Sequence, residues 1–110
     1  MAQPHLAAGQ IGSVLPLGDR LRETPSHALL KAPQLEVMRV VLLAGKTMPG
    51  HQVPGEITVQ CLEGVVDFRI GQTMQRMHPG DFLHLPGGEP HELTAVADAS
   101  LLVTICLLPA

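Results

Sequence analysis

GDFLHLPGGEPHELTA, residues Gly80–Ala95, sets a Pro/Gly loop between two strand-like segments and closes that loop on a histidine. Gly80, Pro86, Gly88 and His91 stand in the spacing G-x5-P-x-G-x2-H. After the loop, His91, Leu93 and Ala95 alternate with Glu92 and Thr94, and a strand sends alternate side chains to opposite faces. One face of that strand therefore combines the histidine with apolar groups.

Strand-like runs recur on both sides of this stretch. LEVMRVVLLA, Leu35–Ala44, is bounded by Pro33 and Gly45, and its shortness and β-branched content favour a strand over a helix. Ile57–Leu62 leads into Glu63-Gly64. Val65–Ile70 then alternates Val66, Phe68 and Ile70 with Asp67 and Arg69, the pattern of a strand with one wet face. Gly71-Gln72 predicts a hairpin returning through Thr73–Met77, and Pro79-Gly80 a turn before Phe82–Leu85. Asp98–Ser100 predicts the last turn, before the strand Leu101–Leu108. Turn signals about every 8–12 residues predict an all-β sandwich or barrel.

Residues 1–24, rich in Pro, Gly and Ala and without sustained periodicity, are read as an N-terminal arm in which LGDRLRET makes one helical turn. Residues 25–110 form the barrel domain. At 110 residues the chain is one domain, large enough to bury roughly two-thirds of its unfolded surface. With 45% hydrophobic and 15% charged residues it is expected to fold rather than remain disordered.

A net charge of -3, with seven basic residues scattered along the chain, excludes an electrostatic footprint for nucleic acid or anionic membrane. The N-terminus has no basic residue ahead of its apolar part, unlike a secretory signal. The longest apolar run, LLVTICLLPA, is about half the ~20 residues of a membrane-spanning helix. No membrane span and a cytoplasmic location are expected. Cys61 and Cys106 both sit in apolar runs and are expected as two buried, reduced thiols. Leu101–Leu108 is apolar on both sides, so something must cover its outer face. A homodimer is the simplest cover, and the N-terminal arm folded back is the second.

The Gly80–His91 pattern resembles the second sequence motif of the cupins, in which the histidine is a metal ligand. The first cupin motif, G-x5-H-x-H-x3,4-E-x6-G, is similar to GKTMPGHQVPGEITVQCLEG, Gly45–Gly64. Gly45, His51 and Gly64 match it. Val53 stands for the second histidine and Ile57 for the glutamate, while Glu56 lies one place earlier. The resemblance spans residues 35–108 and implies a cupin-type double-stranded β-helix, or jelly-roll barrel.

A non-haem iron or related ion in such a pocket needs at least three protein donors that leave positions open for substrate. The resemblance supplies His51 and His91. Glu56 is the first candidate for a third donor, because Pro54-Gly55 could bulge the backbone and reset its face. Cys61 is on the face of Ile57 but roughly 13 Å away at ~3.3 Å per residue, and the face of His84 depends on register. The bland reading of His51 and His91 is a hydrogen-bonded pair in a polar pocket. His5, His27 and His78 fall in expected loops or the arm. No P-loop, dinucleotide fingerprint, C-x-x-C pair or nucleophile elbow occurs.

Two functions follow as expectations. One is a small cupin binding a small molecule in its barrel, with at most one weakly held divalent metal such as Fe, Mn, Ni or Zn. The other, implied by the resemblance, is a metal-dependent dioxygenase, isomerase or decarboxylase using His51, His91 and Glu56. A sensor or partner-binding domain is a third.

Overall fold

Among the described residues, short β-branched runs punctuated by glycine and proline become nine strands and one 3-10 helix. The computed structural model describes residues 5–107, without the side chains of residues 49–51. In chain order the strands are β1 (His27–Lys31), β2 (Leu35–Leu42), β3 (Thr47–His51), β4 (Ile57–Glu63), β5 (Val66–Ile70), β6 (Thr73–Met77), β7 (Phe82–Leu85), β8 (His91–Ala95) and β9 (Ala99–Cys106). They form two antiparallel sheets, a five-stranded one in the order β1-β2-β9-β4-β7 and a four-stranded one in the order β3-β8-β5-β6. The all-β jelly-roll architecture expected from the sequence is the one observed.

Period-2 alternation decides which side chains meet between the sheets. Val40 and Leu42 of β2, Ile57, Val59 and Cys61 of β4, Leu85 of β7 and Leu101 of β9 face Val66 and Phe68 of β5 and Leu93 and Ala95 of β8 in one core cluster. Phe68 and Leu101 are the largest of its fully buried side chains. Nonlocal antiparallel pairing of this kind is held together by that shared core, since a two-stranded hairpin alone is marginal in water.

Several boundaries differ from the sequence reading. β1 was not expected as a strand, and His27 lies within it rather than in a loop. β3 was not expected either, because Pro49-Gly50 interrupts its sequence; a register irregularity between Met48 and His51 accommodates the break. β9 begins at Ala99, shortening the expected turn, and Leu108 lies outside the described residues. The helical turn expected in LGDRLRET is the 3-10 helix Gly18–Glu23, which buries Leu21.

The arm answers part of the question posed by the apolar strand β9. Arg39 of β2 and Ser100 of β9 point away from the core cluster, yet both are buried. Arg39 Nη2 donates to the Leu15 carbonyl at 2.6 Å, and the Glu63 carboxylate accepts from the Leu17 and Gly18 backbone N–H groups at 2.9 and 3.1 Å. The arm is thus strapped over the outer face of the five-stranded sheet by a buried polar cluster.

Candidate functional site at His91

The two motif regions are brought together by their loops. Gly88 donates its N–H to the Val53 carbonyl at 2.7 Å and adopts φ +78°, a left-handed conformation that favours glycine. A Cβ on Gly87 would run into the Pro54 carbonyl. The Pro/Gly loop ahead of His91 therefore has to be small where it crosses the Pro54-Gly55 loop.

Strand β8 is the centre of its half of the four-stranded sheet, with β3 on one side and β5 on the other. His91 is register partner to Ile70 of β5 and to His51 of β3. The backbones carrying the two motif histidines are therefore adjacent; the His51 side chain lies outside the described residues. The His91 side chain is buried, 7% exposed, and its ring stacks on Phe68 with centroids 5.5 Å apart and planes 12° from parallel. Its Nδ1 lies 3.1 Å from the Glu89 carbonyl. A carbonyl only accepts, so Nδ1 carries the hydrogen of this contact.

The other positions of the ligand set have different fates. Ile57 is 4% exposed and part of the core, and Val53 packs against it; neither offers a donor atom. Glu56 does not join His91. Its carboxylate meets His84 Nε2 at 2.7 Å, with both side chains largely in solvent. His84 is register partner to Thr58, between the inward-facing Leu83 and Leu85, so the pair belongs to the outer face of the five-stranded sheet. The bulge expected at Pro54-Gly55 does not turn Glu56 inward. Gly55 is instead pressed against the Cys106 carbonyl, and the Glu56 carbonyl accepts from Cys106 N–H at 2.9 Å, which fixes the backbone there. Among the described residues no group of three or more His, Cys, Asp or Glu is placed to hold a metal ion. Among the described side chains, which do not include that of His51, none of Val53, Glu56 and Ile57 sets a donor atom beside His91.

Sequence reasoning passed over the Arg39, Glu63 and Ser100 cluster. The signal was a lone arginine inside the apolar run LEVMRVVLLA, which on an outer face needs a partner when covered. Ser100 Oγ donates to Glu63 and lies 3.2 Å from Arg39 Nη2, and Glu63 lies 3.3 Å from that nitrogen. Burial alone would raise the Glu63 pKa. The Leu17 N–H, the Ser100 hydroxyl, the Gly18 N–H and the Arg39 charge together outweigh it and hold the carboxyl below its ordinary value.

The two cysteines are free, as expected, but only Cys61 is buried; Cys106 is exposed at the end of β9. Burial is the largest influence on Cys61 and pushes its thiol up, away from the reactive thiolate. With an aromatic disulfide reagent at mild alkaline pH, Cys106 is expected to react promptly and Cys61 only as the domain unfolds. Two equally fast thiols would show that the core around Cys61 is open.

A small antiparallel jelly roll with a histidine facing its interior defines the class of fold. The Cupin domain family model matches residues 38–107, and the chain belongs to that family. A conserved protein of unknown function from Streptococcus pyogenes is similar over the full length of both chains, at 24% identity and a TM-score of 0.76. An RmlC-like cupin protein from Desulfovibrio desulfuricans is similar at 24% identity and a TM-score of 0.75, covering 88% of this chain and 96% of its own. A cupin superfamily protein from Desulfitobacterium hafniense gives 16% identity and a TM-score of 0.73 over 76% of each chain. No match was found among curated proteins. No helix of the described residues is long and apolar enough to cross a membrane.

Proposed function

We propose that this cupin binds a small, mainly aliphatic molecule at the His91 end of its barrel and does so without metal-dependent turnover. The observation that carries the reading is the fate of the ligand positions: Ile57 is packed into the core while His91 keeps an oriented ring stacked on Phe68. A ligand at that end gains mainly apolar contact with a few polar groups beside it, the common composition of small-molecule sites. With no tyrosine or tryptophan in the chain and Phe68 fully buried, aromatic stacking on the ligand is not expected. A fragment screen read by NMR is expected to give saturable shifts at Phe68, Ile70 and His91. Shifts absent from these residues across a diverse set of fragments would refute the reading.

The second reading, a metal-dependent dioxygenase, isomerase or decarboxylase using His51, His91 and Glu56, is favoured by the register pairing of the two motif histidines. It requires Glu56 to leave His84 and join the two histidines. Metal content separates the two readings. A homodimer remains our proposal for the part of the outer sheet face that the arm leaves open, where Leu35 and Phe82 stay exposed. A cytoplasmic location is likewise proposed, supported by two free cysteines.

A further inference from the structure

Outside the barrel, the arm roofs a hollow of about 460 Å³ against the outer face of the five-stranded sheet. Arg39 and His27, register partners on β2 and β1, belong to its lining on the sheet side. Arg20 and Thr24, in and just after the 3-10 helix, and the aliphatic Val14 and Leu29 contribute to the rest. No aspartate or glutamate is among its lining residues, whereas three side chains with basic nitrogens are.

Arg39 is only 3% exposed. Its bonds to Leu15, Glu63 and Ser100 all converge on Nη2, and its buried Nε has no partner. Glu63 offsets the Arg39 charge, but no carboxylate among the described residues pairs with Arg20. The surplus in this hollow is therefore positive, and a guanidinium offers N–H donors that only an acceptor can satisfy. The volume lies within the range of small-molecule sites, and apart from Ser13 and Thr24 the rest of the lining is apolar.

We propose that this hollow is a second binding site, for a small organic anion with an aliphatic body, of the medium-chain monocarboxylate class. Arg20 meets the carboxylate, Arg39 and His27 hold the polar end of the cavity, and the arm encloses the hydrocarbon. The site is independent of the one at His91 and does not require it.

Octanoate, below its micelle-forming concentration, is the probe. Octanol lacks the charge and inorganic phosphate lacks the tail. In NMR titrations of the full chain, octanoate is expected to shift Thr24, His27 and Leu29 saturably, with octanol and phosphate binding about tenfold or more weakly. Arg20→Gln, an exposed position, is expected to leave the melting temperature of the free protein unchanged and to weaken octanoate by about fivefold to tenfold. The proposal is overturned if octanoate gives no saturable shift, if octanol binds as well, or if Arg20→Gln has no effect. Shifts centred on His91 and Phe68 would also overturn it, placing the ligand in the barrel and supporting the barrel reading instead.

Discussion

Replacing Phe68 with alanine is expected to cost about 3–5 kcal/mol, the usual range for deleting a buried phenylalanine, and to lower the melting temperature by roughly 15–30 °C for a domain of this size. Phe68 is fully buried, joins the core contributed by both sheets and holds the His91 ring by stacking. A cavity there removes contacts from both sheets at once, and domains have only about 5–15 kcal/mol to lose. Phe82→Ala makes the same chemical change on a side chain that is 63% exposed in the single chain, and, at dilutions where the protein is monomeric, is expected to change stability by less than about 0.5 kcal/mol. Thermal melts of the two variants side by side check the inside-outside assignment of β5 and β7. Equal destabilisation would mean that the register of one of them is wrong.

Glu63→Ala is the second large effect. It removes the acceptor shared by Leu17 N–H, Gly18 N–H, Ser100 and Arg39, and leaves the Arg39 charge covered by the arm without its counter-ion. Breaking a buried pair in this one-sided way costs about 3–5 kcal/mol; because Glu63 keeps 14% of its side chain in solvent, about 2–3 kcal/mol is expected. The loss has a location. Amide exchange of residues Leu15–Thr24 is expected to accelerate far more than that of β4 or β9, since the arm opens before the barrel.

Acid is expected to act on the same latch. Because the folded-state pKa of Glu63 lies below its ordinary value, its stabilisation is complete above the ordinary carboxylate range, near about 4.3. It is lost as pH falls through the lower folded-state value. Arm protection, with exchange corrected for its intrinsic slowing in acid, that falls on acidification in the wild type, with a smaller fall in Glu63→Ala, is the expected signature. A pH response unchanged by the substitution would assign it to other carboxylates.

Much of the fold was legible because alternation and burial coincide. Val66, Phe68 and Ile70 alternate with Asp67 and Arg69, and the hairpin through Gly71-Gln72 to Thr73–Met77 forms with the register that this pattern implies. The strand β3 was hidden because Pro49-Gly50 contradicts strand propensity, and only pairing with β8 overrides it. β1 was hidden behind the Pro-rich approach to Leu35. Cys106 looked buried from its apolar neighbours, yet it alternates outward at the end of β9.

The candidate site was legible only in part. His91 announced itself by motif spacing and by sharing a face with Leu93 and Ala95, and that face is inward. Glu56 was misjudged because spacing along the chain does not reveal an outer-face partner; His84, on a neighbouring strand, holds it. Glu63 was read only as the place where the run Ile57–Leu62 ends. A register irregularity between Cys61 and Glu63 lets Cys61 face the core while Glu63 reaches Ser100 on the other side. Such coupling between a bulge, an arm and a lone arginine is a tertiary property, invisible to local pattern.

In the proposed function His91 serves a ligand rather than a complete metal centre. Metal content of the wild type and of His91→Ala, each purified without chelator and measured by mass spectrometry of the elements, tests it most directly. Transition metal well below one equivalent in both proteins is the result predicted. Close to one equivalent in the wild type, lost in His91→Ala, would contradict it and establish the metal-dependent reading in its place.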